Sequence, residues 1–398
     1  MRSVCLLVLC VVSLAPAARG EENPPVPERY KSIYEQLDAK LNEAEAYVRQ
    51  HPAKDDAPIT IGAQLLPADA NRGPVILQPR IAQGVDVYLN TMKRLGVSSV
   101  KVQISYPCIN PDYANSDQYL AFFVRTTKAA HDRGLKVQVQ ATSAFHDPTY
   151  GHLPYDPKGL TLERYMEEKR AMIEKIINEV HPDLLTLENE PDSQARNTGL
   201  ELNGPNFIKL IEHELSGLDR KGVLVGAGAG TWSPIGMFDA IAQTKVDYLD
   251  AHIYPINGAM LLPKLQQISE TARKHQKQWI IGEAWLYKTD GRDGYGDYQA
   301  IYKRDAYSFW APLDSRFITM LPKLARSLGA QQVNFFWINY CFGMVNYSPE
   351  LEALSTQEML LRSSQGAAAN MVRFNLNTVG ESLQKTAEET PAATRRAR

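Results

Sequence analysis

The chain has 398 residues, 44% of them hydrophobic and 22% charged, and a formal net charge of −2. That is material for two average domains or one large α/β barrel, in proportions ordinary for a globular protein. Near-neutrality argues against a nucleic acid or an anionic membrane held by a bulk electrostatic field.

Residues 1–20, MRSVCLLVLCVVSLAPAARG, put Arg2 ahead of an apolar run from Val4 to Leu14 and the small residues Ala15, Pro16, Ala17 and Ala18. This is the pattern of a signal peptide cut between Ala17 and Gly20. The run is too short to cross a bilayer, and no other stretch reaches the roughly 18 to 20 apolar residues a span needs. A secreted or periplasmic protein without membrane attachment is expected. Leu9 before Cys10 is not the small residue that lipoprotein processing prefers. With Cys5 and Cys10 removed, Cys108 and Cys341 are left. Export permits their pairing, the sequence does not decide it, and no zinc-ligand spacing is present.

Residues 21–56 read as a polar, proline-rich linker and one amphipathic helix, with Tyr30, Ile33, Tyr34, Leu37, Leu41, Ala44 and Val48 recurring at three- and four-residue steps. This helix is expected to pack on the outside of the domain formed by the rest of the chain. From 57 to 383 short β-branched runs alternate with amphipathic segments. The runs fall at 59–66, 99–106, 135–141, 184–190, 223–228, 248–254, 279–285 and 333–340. Strand–helix alternation implies a mainly parallel sheet, and eight strands in one series favour a closed (β/α)₈ TIM barrel over an open doubly wound sheet. No GxGxxG follows the first strand, and the AGAG at 227–230 is only a partial glycine cluster, so a dinucleotide-binding fold loses ground. A long insertion, 290–307, precedes the last helix before strand eight. Residues 384–398, low in apolar content and ending in TRRAR, read as a disordered tail.

Within strands, Val100, Val102 and Ile104 alternate with Lys101, Gln103 and Ser105. Val137 and Val139 alternate with Gln138, Gln140 and Thr142, and Leu249, Ala251 and Ile253 with Asp250, His252 and Tyr254. Successive side chains face opposite ways and helices cover the outer wall, so the polar set is predicted to line the interior. A structural barrel would prefer branched apolar residues there; polar ones suggest a deep, hydrogen-bonding cleft. Functional residues of such barrels sit where strands end. Those ends supply His146 after strand three, Asn189 and Glu190 at strand four, His252 and Tyr254 at strand six, Glu283 and Trp285 at strand seven, and Trp337 and Asn339 late in strand eight. Two glutamates at facing parts of one barrel mouth are what glycosidic bond cleavage needs: one protonates the leaving oxygen, the other attacks the anomeric carbon or activates a water.

Asn-Glu-Pro ending a fourth strand, His-x-Tyr a sixth, Gly-Glu a seventh, and a Trp on an eighth resemble the clan A glycoside hydrolases, retaining (β/α)₈ enzymes. The resemblance spans residues 57 to about 345, rests on strand-end motifs, and assigns no particular family. It implies Glu190 as acid/base, Glu283 as nucleophile, Asn189 as the amide on the sugar 2-hydroxyl, Tyr254 as the tyrosine holding the nucleophile, His252 as a neighbour of the carboxylate pair and Trp337 as the platform under the reacting sugar. Clan members commonly carry an arginine at the end of strand two; here that strand offers Lys101. Glu190 must hold a proton while Glu283 is ionised, and their mutual repulsion supports that split. The competing role for Glu190 is a cap on the following helix; Glu283 at the matching end of another strand favours the catalytic one. Glu188 shares the strand parity of Glu190 and reads as a deeper, hydrogen-bonded barrel residue. His146 and Trp285 complete the candidate sugar-contacting set, with a structural role leading for His146 and packing narrowly for Trp285. The expected protein needs no cofactor or metal, binds a β-linked poly- or oligosaccharide and is a monomer. A non-catalytic carbohydrate-binding barrel, a transglycosylase using the same residues and a metal-dependent barrel hydrolase are the alternatives.

Overall fold

The computed structural model describes residues 24–53, 57–147, 149–202, 204–291 and 298–390. The signal-peptide segment, the end of the proposed tail (391–398) and part of the strand-seven insertion (292–297) lie outside them.

Eight parallel strands close in sequence order, with β1 (Thr60–Asp69) pairing both β2 (Ser99–Tyr106) and β8 (Gln332–Phe335). Between these lie β3 (Lys136–Ser143), β4 (Leu184–Thr186), β5 (Leu224–Gly230), β6 (Tyr248–Ile253) and β7 (Gln278–Ala284). The helices before and around them are α1 (Lys31–Gln50), α2 (Pro79–Arg94), α3 (Ser116–His131), α4 (Leu162–Lys175), α5 (Pro191–Thr198), α6 (Pro205–Leu215), α7 (Ile235–Gln243) and α8 (Leu262–Lys274). α9 (Tyr298–Asp305) and α10 (Ala311–Ser327) fill the interval after β7, and α11 (Pro349–Glu352), α12 (Thr356–Arg373) and α13 (Thr378–Glu389) follow β8. This is the predicted (β/α)₈ barrel. Among the described residues no helix is long and apolar enough to cross a membrane.

The alternation read from the sequence sets the two faces. Val100, Val102, Val137, Val139, Leu249 and Ile253 are buried in the apolar layer shared with the helices. The intervening residues form a polar interior. Gln138 donates to Thr186 Oγ1 (3.0 Å) and Asp250 Oδ2 (3.1 Å) and accepts from Gln332 Nε2 (2.9 Å) and Asn334 Nδ2 (2.5 Å), tying β3, β4, β6 and β8 across the barrel. Every hydrogen-bonding position of that amide is filled, which is what a buried polar group requires.

α1 packs on the outside as expected. Its Tyr34 stacks on Trp310 with centroids 5.8 Å apart, and Asp38, Asn42 and Glu45 receive the guanidinium of Arg316 on α10. Three boundaries differ from the sequence reading. β4 ends at Thr186, although Leu187 N still donates to Gly226 O (2.8 Å) and Gly228 N to Glu188 O (2.9 Å), so strand parity does not hold through Glu188. β8 ends at Phe335, and Ile338–Cys341 form a 3₁₀ turn, so Trp337 stands beyond the strand. Residues 384–389 are not a tail. They complete α13, capped by Asn377, whose side chain accepts from Val379 N and Gly380 N, and anchored by buried Val379, Leu383 and Thr386. Ala387, the one apolar residue of 384–389, packs against the core. Cys108 and Cys341 are buried, unpaired thiols.

Candidate active site

The strand ends open into a cleft of about 2080 Å³, lined among others by Asp69, Arg72, Tyr150, Asn189, Glu190, Trp232, Tyr254, Glu283, Tyr287, Phe336 and Trp337. Glu283 closes β7 behind Gly282. A Cβ at position 282 would overlap the Asp250 carboxylate of β6, so the Gly-Glu motif reflects a close approach inside the barrel. The Glu283 carboxylate receives Lys101 Nζ on Oε1 and Tyr254 OH on Oε2. Burial alone would raise this carboxyl. The ammonium of Lys101, the nearby His252 and the two hydrogen bonds outweigh burial and hold the group below its ordinary value. Glu283 is thereby kept ionised and aimed.

Glu190 sits at the start of α5 with φ 44° and ψ 70°, a left-handed conformation uncommon for a residue with a side chain. The hydroxyl of Ser193 donates to Oε2 (2.8 Å), and Oε1 lies 2.7 Å from Nδ1 of His252. The same nitrogen is 3.6 Å from Glu283 Oε2, so one imidazole touches both carboxylates. Its other nitrogen, Nε2, is 2.8 Å from Gln140 Nε2, while Gln140 Oε1 accepts from Lys101 Nζ (2.9 Å). The amide therefore presents its N–H to Nε2, which must accept, and the ring hydrogen lies on Nδ1, toward Glu190. Burial lowers the His252 pKa, but Glu283, Glu190 and Asp250 together raise it above the usual value. A continuous path thus runs from Lys101 through Gln140 and His252 to Glu190.

Asn189 is buried beside this path, with Nδ2 3.4 Å from His252 Nε2 and Oδ1 accepting from Gln194 Nε2 (3.4 Å). Glu188 is buried and hydrogen-bonded as expected, but it is held from outside the barrel, a correction to its predicted place. It pairs with Lys169 of α4 at 2.7 Å and accepts from Gln194 Nε2 at 2.7 Å. Glu214 of α6 completes the group, 4.0 Å from Lys169. Two carboxyls and one ammonium, all fully buried, balance only if one carboxyl carries a proton. Burial and the neighbouring Glu188 push Glu214 well up, which makes it the protonated one.

Trp337 borders the cleft with its ring 5.0 Å from Tyr150 and 4.6 Å from Phe336. Trp285 does not. It is 1% exposed, outside the cleft lining, and packs on Tyr340 with centroids 5.8 Å apart. His146 is also outside the lining; it is exposed and stacks on Tyr155 at 6.1 Å. Neither borders the cleft, and nor does the fully buried His252. The strand-three loop contributes Tyr150 instead. Strand alternation marks Lys101 as inward-facing without giving it a partner; an interior lysine demands a carboxylate, and that signal points to Glu283. Asp69, Asn71 and Arg72 escape the sequence reading because β1 runs three residues past its predicted end.

Glu190, His252 and Glu283 each bring one ligand-type atom within 4.8 Å of the others, which among the described residues is the one such cluster of metal-capable side chains. The ammonium of Lys101 already supplies a cation to this group. The same geometry puts oxygens of the two carboxylates within 4.8 Å. Both carboxylates border the cleft.

No protein-family model and no curated protein matches the sequence. Solved structures do resemble the fold. A GH5_18 enzyme from Bifidobacterium longum subsp. infantis aligns with TM-score 0.57 and 14% identity over 84% of this chain and 80% of that one. One from Bifidobacterium longum subsp. longum ATCC 55813, in complex with Manβ1-4GlcNAc, aligns with TM-score 0.53 and 16% identity, again over 84% and 80%. An exo-β-1,4-mannosidase from Opitutaceae bacterium strain TAV5 aligns with TM-score 0.50 and 16% identity over 82% of this chain, which spans 60% of the mannosidase. What these structures share with the chain is the (β/α)₈ barrel; at these identities the likeness is one of fold, and no family is assigned.

Proposed function

We propose that this chain is a retaining glycoside hydrolase acting on a β-linked oligo- or polysaccharide. The observation that carries the reading is the carboxylate pair: Glu283 held ionised by Lys101 and Tyr254, and Glu190 within 4.8 Å of it across His252. In the first step a Glu283 oxygen bonds to the anomeric carbon as the bond to the leaving oxygen breaks, and the Glu190 proton passes to that oxygen. In the second, water attacks the same carbon, its proton returns to Glu190, and Glu283 is released as carboxylate. Lys101 stabilises that carboxylate before and after the reaction, Asn189 is positioned for the sugar 2-hydroxyl, and Trp337 offers a face to the pyranose ring. A transglycosylase would use the same groups with a sugar replacing water. The leader pattern of residues 1–20 supports export to the periplasm or medium. Proton NMR of the first product released from a β-glycoside tests the reaction: β-hemiacetal before mutarotation is expected, and α-hemiacetal would overturn retention.

A further inference from the structure

Glu190 and His252 face each other with Oε1 2.7 Å from Nδ1. To serve as an acid, this pair must hold one proton more than a carboxylate beside a neutral ring. That proton can sit on Glu190, leaving the imidazole neutral, or on His252, leaving an imidazolium beside a carboxylate with nothing to give. Charge alone favours the ring. Glu283 Oε2 lies 3.6 Å from Nδ1, and Asp250 Oδ1 lies 3.9 Å from Nε2. These two and Glu190 together raise the His252 pKa. Lys101 and the Tyr254 hydroxyl, the other ionisable groups at hand, are bonded to Glu283.

The hydrogen bonds decide otherwise. An imidazolium carries a hydrogen on each nitrogen, and Nε2 faces two amide N–H groups whose orientations are set from elsewhere. Lys101 Nζ can only donate, so Gln140 turns Oε1 to it at 2.9 Å and Nε2 to the ring at 2.8 Å. The backbone N–H of Ser143 can only donate, so Gln194 turns Oε1 to it at 2.9 Å. Gln194 Nε2 then donates to Glu188 Oε2 at 2.7 Å and Asn189 Oδ1 at 3.4 Å. Asn189 is left presenting Nδ2 to the same ring nitrogen, at 3.4 Å. A hydrogen on Nε2 would meet both amides donor to donor. Turning Gln140 over would set its NH₂ against the Lys101 ammonium, and Asp250 Oδ1 is too distant to accept. A buried donor left without an acceptor is costly, and hydrogen bonds to the neutral form of a group disfavour its charged form.

We propose that Gln140 is a positioning residue that holds His252 neutral and thereby places the shared proton on Glu190. The inference rests on the glycosidase reading and adds how its acid is kept loaded. Gln140 and His252 are fully buried outside the cleft lining, so they act through Glu190 and not on the sugar. Because Nδ1–H occupies Oε1, the transferable proton lies on Oε2, 2.8 Å from the Ser193 hydroxyl.

The full chain, isotopically labelled in its histidine ring nitrogens, is followed by NMR from about pH 5 to 8, where an ordinary histidine titrates. His252 is identified as the signal lost in His252→Gln. One protonated and one bare ring nitrogen throughout is the expected result. In Gln140→Glu, which offers Nε2 an acceptor of the same shape, both nitrogens should carry hydrogens. The positive ring should then ease ionisation of Glu190. The basic limb of kcat/KM should move to lower pH by about one unit or more for phenyl β-glycosides of the gluco, manno, galacto and xylo series. The matching 2,4-dinitrophenyl glycosides, whose leaving group needs no acid, should not follow, which a merely structural fault would not achieve. Thermal melting checks that the variant is folded, and the wild-type spectrum decides by itself if it is not. Two protonated ring nitrogens in the wild type, or a basic limb unmoved in folded Gln140→Glu, would overturn the inference and leave the glycosidase reading intact. Absence of turnover with every glycoside would count against that reading, while the ring nitrogens would still support or overturn the neutral histidine.

Discussion

Lys101 is the residue on which the proposed chemistry rests most directly. It is fully buried, 2.9 Å from Gln140 Oε1 and hydrogen-bonded to Glu283. A carboxyl whose folded pKa is depressed adds stability that is present above its unfolded value and lost as pH falls through the folded one. The acid limb of kcat/KM should therefore lie below 4.5, the ordinary value for Glu283. Lys101→Met leaves Glu283 buried without its cation. Its pKa should rise, the acid limb should move to higher pH, and stability should fall by about 3 to 5 kcal/mol, measured by pH–rate profiles and denaturant melts. An acid limb unmoved in that variant would remove Lys101 from its assigned role. The second buried group behaves oppositely. Glu214 has its folded pKa raised, so its contribution to stability declines as pH rises from its unfolded value of about 4.5 toward the folded one. Glu214→Gln, which copies the protonated acid, should flatten that decline in a series of melts. Glu188→Gln leaves Glu214 as the one carboxyl beside Lys169 and removes a neighbour that raises its pKa, so the decline should move to lower pH in that variant. Equal pH dependence in wild type and Glu214→Gln would contradict the protonation assigned to Glu214.

At the scale of elements, strand parity accounts for most of the site. The alternation in β2, β3 and β6 places Lys101, Gln138, Gln140, Asp250 and His252 inside, where hydrogen bonds join them across the barrel. Parity fails where regular structure stops. Glu188 lies past the end of β4 and is drawn out by Lys169, a partner on α4 that strand periodicity cannot reveal. Trp285 sits one residue past β7 and turns into the packing around Tyr340. His146 lies on a loop, where no period fixes direction. The end of α13 is not legible in the sequence because its helix is secured by docking on α10 and the 338–341 turn, more than by its own residues. Leu383 is its fully buried anchor. Leu383→Ala should cost about 2 to 5 kcal/mol, read as a lowered denaturation midpoint; a midpoint unchanged from wild type would show that this helix adds nothing to the barrel.

For the molecule as a whole, a closed parallel barrel with a polar interior brings together residues distant in sequence. Lys101 from β2, Glu190 after β4, His252 from β6 and Glu283 from β7 meet in one hydrogen-bonded cluster, of which Glu190 and Glu283 line the cleft. The internal ammonium of Lys101 supplies a positive charge beside Glu283. Turnover should therefore be unchanged after exhaustive treatment with a chelator; activity lost on chelation and restored by a divalent ion would favour a metal-dependent hydrolase built on the Glu190, His252 and Glu283 cluster. The double-displacement mechanism itself demands a covalent sugar on one particular carboxylate. Incubating the purified protein with a panel of 2-deoxy-2-fluoro glycosyl fluorides, followed by peptide mass mapping, tests that demand directly. A stable glycosyl ester on Glu283 is the expected result, and the reagent that forms it names the sugar. An ester on a different carboxylate, or reagent turnover by Glu283→Ala at the wild-type rate, would contradict the mechanism.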